Sequence, residues 1–148
     1  MNNKNLRSFD QSLPMALLKA REAVMKNFLP SLKAHGLSAQ QWRVIRALEH
    51  ENGLEISVLS ERCYLLMPSL TRIVKNLAGR NLVRRKIVPS DQRRSAIHLT
   101  AAGRDLFKRI EPKSIDRYDF ITDRFGATKL DELYALLNEL VETIDDAN

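Results

Sequence analysis

The chain is poor in cysteine, glycine and aromatics: one Cys, five Gly and 6% Phe, Trp and Tyr among 148 residues. The lone Cys63 excludes an internal disulfide framework. With only His35, His50 and His98 scattered along the sequence, it forms no ligand cluster for a metal. There is no glycine-rich phosphate loop and no evident nucleophile–base pair, so an enzyme is not expected. No uncharged apolar run reaches the roughly 18 residues of a membrane span. The opening MNNKNLRSFDQSLP lacks the apolar stretch of a signal peptide. Together these absences point to a soluble cytoplasmic protein without cofactor or metal.

Acidic residues are scarce in one place. Met67 to Leu99 holds eight Lys/Arg (Arg72, Lys75, Arg80, Arg84, Arg85, Lys86, Arg93, Arg94) against the single acid Asp91. The whole chain carries +6, so this segment accounts for the excess; from Phe125 onward there is one lysine against six acids. Positive charge confined to one segment marks a polyanion-binding face. Sparse Phe and Tyr within it leave no stacking platform for single strands, which favours duplex DNA. The 44% apolar and 28% charged content is that of an ordinary globular chain.

Ser12 is placed to cap a first helix, with Pro14 tolerated in its first turn. Leu13, Leu17, Ala20, Val24, Phe28 and Leu32 recur at helical spacing, with Leu18, Met25 and Leu29 as a second stripe. A helix apolar on two sides packs against its own domain and a second subunit. Pro30 should kink or end it. Ser38 caps a helix through Glu51 with Trp42, Ile45 and Leu48 inward, and Asn52-Gly53 breaks it. Leu54 to Ser57 is expected to add an edge strand. Val58 to Cys63 reads as a short helix and Tyr64 to Met67 as a turn, with Pro68 opening the next helix. Leu70, Ile73, Val74 and Leu77 form the buried face of that helix, and Gly79 and Asn81 flank its end. Leu82 to Val88 and Ser95 to Leu99 read as strands around the turn Pro89-Ser90-Asp91-Gln92. Thr100 caps a helix to about Phe125, interrupted or bent at Pro112. Thr128 with Asp131 resembles a capping box before a seam of Leu130, Leu133, Leu137, Leu140 and Ile144. The fold class is mainly α with a small β-hairpin, an α+β winged helix-turn-helix.

A helix pair followed by a basic hairpin can fill a major groove and reach the adjacent minor groove. Arg can hold guanine O6 and N7 with two hydrogen bonds, and Asn can do the same for adenine. Ser69, Thr71 and Arg72 lie in the first turn, where such helices meet base edges; Lys75 and Asn76 follow for phosphates or adjoining bases. Arg93 and Arg94 at the hairpin tip suit a narrow, electronegative minor groove, and Arg84 joins the DNA-binding set. Asp91 is out of place beside a polyanion unless it caps the turn or fixes an arginine.

The stretch LSERCYLLMPSLTRIVKNLAGRNLVRR, followed by DQRRSAIHLTAAG, resembles the MarR family of winged-helix regulators. The family's wing signature is met by Asp91, Arg93, Ile97, Leu99, Thr100 and Gly103. ALLKAREAVMKNFLPSLKAHGLSAQQWRVIRAL and LMPSLTRIV are similar to the regulators of homoprotocatechuate-degradation operons, the HpaR-like group. The resemblance implies a homodimer on a palindromic operator, with repression relieved by a small ligand such as a phenolic or phenylacetate-type acid. It also implies that Arg93 enters the minor groove and Asp91 orients the wing. On this basis residues 1–35 form an N-terminal dimerisation helix, 36–100 the DNA-binding lobe and 101–148 the C-terminal dimerisation helices. An aromatic acid needs a cation, an apolar wall and a polar partner for its phenol; Arg21, Trp42, Arg43, Arg46 and His35 are the candidates. The alternative is a different regulon, with another ligand or a thiol signal through Cys63. The family's peroxide-sensing branch carries its reactive cysteine in the first helix, where this chain has none.

Overall fold

The computed structural model describes residues 5–147. A single 3-10 turn, Phe9–Gln11, leads into α1, Leu13–Met25. Ser12 occupies the cap position, but its hydroxyl donates to the Phe9 carbonyl (2.9 Å) and does not cap the helix. The long helical pattern breaks before Pro30: α1 closes at its C-cap Lys26, four residues back, and Pro30 lies in the first turn of a separate α2, Leu29–Ala34, where its missing N–H costs nothing. The expected stripe is thereby split. Leu13, Leu17, Leu18 and Val24 on α1 stay exposed, whereas Phe28 and Leu32 are buried.

Gly36 (φ +70°) reverses the chain into α3, Ala39–His50. Its start carries a full capping box: Ser38 Oγ accepts from the Gln41 amide and Gln41 Oε1 from the Ser38 amide. Trp42, Val44, Ile45 and Leu48 face the core. β1, Leu54–Glu55, is the expected edge strand, shortened because α4 (Ile56–Cys63) begins at once. Tyr64 adopts a left-handed conformation (φ 52°), tightening the turn into α5, Met67–Gly79. Leu70, Ile73, Val74 and Leu77 are all buried, as their spacing requires.

β2 (Val83–Val88) and β3 (Asp91–Leu99) form the hairpin, and β1 completes an antiparallel sheet of order β1-β3-β2. Val88 pairs with Asp91, but Ile87 pairs with Ser95, so Gln92, Arg93 and Arg94 bulge from β3 without cross-strand partners. The tip is Pro89-Ser90 alone, and Arg93 and Arg94 lie beyond it in this bulge.

α6, Ala101–Phe125, runs through Pro112 without interruption. Thr100 caps it by accepting from the Gly103 amide (3.0 Å). Trp42 stacks on Phe107 with centroids 5.4 Å apart. The chain divides into two compact units, Met1–Pro112 and Lys113–Asn148. Phe28, Leu32, Leu106, Phe107 and Ile110, from the N-terminal helices and the start of α6, are buried within the first unit. The second unit comprises the end of α6 and α7, Ala127–Ala147, joined at Gly126 (φ +104°). Thr128 lies inside α7 and not at its cap, so no capping box with Asp131 starts the helix; the Leu130 amide donates to the Gly126 carbonyl instead.

Candidate nucleic-acid interface

Four buried side chains anchor the inner face of α5, leaving Thr71, Arg72, Lys75 and Asn76 exposed on the other side and Ser69 half-buried. Side-chain bonds fix the helix at both ends. Ser60 Oγ donates to the Leu65 carbonyl (2.5 Å) in the preceding turn. Arg80 donates to the carbonyls of Gly36 (2.9 Å) and His35 (3.3 Å), tying the C-terminal end to the turn before α3. Asn76 Oδ1 accepts from Gln41 Nε2 (3.0 Å), which orients its amide. Arg72 Nε leans on the Pro68 carbonyl at 3.5 Å, a weak contact that leaves the guanidinium tip unengaged by it. The turn entering α5 also exposes Tyr64 (86%) and Leu66 (79%).

In the hairpin, Asp91 has the structural role that an acid in this setting demands: Oδ1 accepts from the Arg93 backbone amide (3.0 Å). The two adjacent arginines then diverge. Arg93 is exposed, while Arg94 is committed to Glu55, its Nε donating to Oε2 (3.0 Å) and its Nη2 to Oε1. The Arg94 hydrogen bond holds the Glu55 carboxyl below its ordinary pKa, and Glu55 in turn raises that of Arg94. The two arginines expected at the tip both lie in the bulge, Arg93 exposed and Arg94 anchored on Glu55. Arg85 donates to Ser95 Oγ (2.9 Å), whereas Arg84 is exposed on β2 opposite His98. His98 packs against Gly53, and burial, then Lys86 and Arg84, push its pKa down. A cavity of about 450 Å³ opens here, lined by Asn52, Arg84, His98, Thr100 and Arg104 among others.

The five ligand candidates engage different elements. Trp42 is in the core against Phe107. Arg43 donates to the Cys63 carbonyl (2.9 Å), a bond that joins α3 to α4. His35 Nδ1 lies 2.9 Å from the Ser31 carbonyl. Arg21 is exposed on α1 near Glu22 (3.5 Å), and Arg46 is exposed on α3. Cys63 is 1% exposed, and burial pushes its thiol pKa up.

Gln41, Glu55 and Arg80 are positioning residues that the sequence does not single out. Only Gln41 has a local signal, the Ser38-x-x-Gln41 box. Glu55 lies 39 positions from Arg94, and Arg80 lies 44 from Gly36, beyond the reach of any short pattern.

A family model described as "MarR family" matches residues 35–94. The homoprotocatechuate degradative operon repressor of Escherichia coli is 38% identical over 130 residues, covering 88% of each chain. The crystal structure of NadR in complex with 4-hydroxyphenylacetate is 38% identical, covers 92% of this chain and 96% of that one, and superposes with a TM-score of 0.78. The transcriptional repressor CouR, bound to a 23-mer DNA duplex, is 26% identical, with coverage of 93% and 99% and a TM-score of 0.81.

Proposed function

The chain belongs to the MarR family of winged-helix, DNA-binding transcriptional regulators, and from that premise we propose that it is a homodimeric repressor released from a palindromic operator by a small phenolic acid. The carrying observation is the pairing of an outward-facing cationic and polar row on α5 with a hairpin whose exposed Arg93 is held at its backbone by Asp91. Ser69, Thr71 and Arg72 read base edges, Lys75, Asn76 and Arg84 hold adjoining bases or phosphates, and Arg93 enters the minor groove. Two copies present two such helices to half-sites about one helical turn, roughly 34 Å, apart.

Support for the effector class comes from two relatives of similar identity, one named for homoprotocatechuate degradation and one crystallised with 4-hydroxyphenylacetate. Arg21 and Arg46, the exposed guanidiniums among the five candidates, suit its carboxylate. An effector that prefers dimers with mis-spaced α5 helices shifts the population away from the DNA-competent form. A thiol signal through Cys63 finds no support, since a buried thiol with a raised pKa supplies little thiolate.

The test is selection of duplexes from a random pool, followed by titration of the enriched duplex with and without 4-hydroxyphenylacetate or 3,4-dihydroxyphenylacetate. The expected result is a palindrome bound on the order of a thousandfold more tightly than random DNA and weakened by one of the acids. Equal binding to random and selected DNA removes the sequence-specific reading. Enrichment without any effect of either acid removes the effector class alone.

A further inference from the structure

We propose that Glu55 is the positioning residue of the wing: it grips Arg94, fixes the Gln92–Arg94 bulge and thereby aims Arg93, and Arg94 itself makes no contact with DNA. The inference rests on the DNA-binding reading and deepens it.

Arg93 sits in the part of the hairpin least constrained by the sheet. Gln92, Arg93 and Arg94 lack partners on β2. Three residues without ladder bonds take their direction from whatever holds the ends of the bulge. At the entry, Asp91 Oδ1 accepts from the Arg93 amide. At the exit, both donors on one edge of the Arg94 guanidinium meet both oxygens of Glu55. This two-point fork fixes orientation as well as distance, which a single ammonium contact would not do.

Glu55 has little freedom to yield. Its backbone pairs with Ala96 on β3, two residues beyond Arg94, so the two side chains lie diagonally on one face of the sheet. It is also the residue from which α4 departs, with φ −61° and ψ 146°. Strand pairing on one side and a helix start on the other hold the carboxylate where Arg94 finds it. The pair is partly exposed, with side-chain accessibilities of 30% for Glu55 and 51% for Arg94, so its role is geometric more than stabilising.

Charge alone predicts the opposite of a latch. Glu55 is an acid near a polyanion site and cancels one of its cations, so a purely electrostatic account has its removal strengthen DNA binding. A latch requires its removal to weaken binding, because Arg93 loses its aim.

The experiment measures affinity and salt slope for a short duplex enriched from a random pool by the wild-type protein. Glu55→Ala and Arg94→Ala are each expected to weaken binding about tenfold, with the double variant no weaker than either single one, as for residues acting as one unit. Neither should change the salt slope, whereas Arg93→Ala should reduce it by about one. The reversed pair, Glu55→Arg with Arg94→Glu, is expected to bind within about threefold of the wild type. Should a single substitution perturb folding, the reversed pair still tests the latch, because it retains the fork. Unchanged or tighter binding by Glu55→Ala overturns the proposal, as does a lower slope for Arg94→Ala or failure of the reversed pair to bind. If Arg93→Ala weakens binding and Glu55→Ala does not, the latch alone is wrong. If the wild-type protein enriches no sequence, the DNA-binding reading fails with it.

Discussion

Gly103 lacks a side chain because the Leu82 carbonyl fills the space one would need: a Cβ would sit 2.1 Å from that oxygen and 3.1 Å from Leu99 Cδ2. The carbonyl is held there by the Thr100 amide (3.1 Å), while the Thr100 hydroxyl bridges the Asn81 carbonyl and the Gly103 amide. The Leu99-Thr100-x-x-Gly103 spacing is thus the seam joining α5, the hairpin and α6. Gly103→Ala should destabilise the fold by about 2–3 kcal/mol, as overpacking against rigid backbone does. Urea titration checks this, and an unchanged midpoint would mean the seam yields. His98 gives a second prediction. Its folded pKa lies below the ordinary value of 6.5 because burial and the cations Lys86 and Arg84 disfavour the imidazolium. As pH falls through 6.5 the unfolded chain takes up the proton first, so stability falls toward the folded pKa, while above that range the contribution is fully present. His98→Gln should flatten the acid limb of thermal stability as pH falls through 6.5; parallel limbs would remove His98 as its source. At this scale the sequence revealed what is local. Asp91 was legible as a turn cap because its acceptor reaches only two residues ahead. The anchoring of Arg94 and Arg43 was not, since Glu55 and Cys63 are brought to them by tertiary folding.

Helix α5 was readable almost residue by residue, because a helix inserted into a core must repeat its apolar side chains every three or four positions, and Leu70, Ile73, Val74 and Leu77 do so. The hairpin was read less well. The turn chemistry of Pro89-Ser90-Asp91-Gln92 located a reversal, but the chain turns within Pro89-Ser90 and places its surplus residues in a bulge. Alternation along a strand carries no mark for an unpaired insertion. The break between α1 and α2 was ambiguous for a related reason, since Pro30 is as compatible with beginning a helix as with ending one. The firm description of α5 supports a prediction about reading DNA. Arg72 lies on the exposed side of α5, where its Nε makes the weak Pro68 contact. Arg72→Ala should lose about 1–3 kcal/mol at particular base pairs and little on random DNA. A uniform loss across all sequences, in competition against single-base variants of the selected duplex, would recast Arg72 as a phosphate contact.

At the scale of the whole molecule, the charge and apolar patterns point to different partners. The cationic excess is confined to α5 and the hairpin, whereas α7 carries six acids within Asp131 to Asp146 and is unsuited to a polyanion. No residue of α1 or α7 is buried, although both helices are amphipathic. Leu13, Leu17 and Leu18 on α1, and Leu133, Leu136 and Val141 on α7, leave large apolar side chains accessible, Leu136 at 63%. Apolar surface of this extent along two helices is uncommon in a monomer and is covered in the proposed homodimer. The seam of α7 was visible in the sequence because it is periodic, but a seam specifies an apolar face and not the chain that covers it. Deleting everything from Thr128 onward tests the assignment. Sedimentation should show the full chain as a dimer and the shortened chain as a monomer. The shortened chain should also lose at least about a hundredfold in affinity for the selected palindrome, because the second half-site is no longer bound from an effectively tethered partner. Its core residues, Leu32, Ile45, Leu48, Leu59 and Leu70, all precede the deletion, so thermal unfolding should remain cooperative. A shortened chain that still sediments as a dimer would show that surfaces outside α7 suffice to pair the subunits.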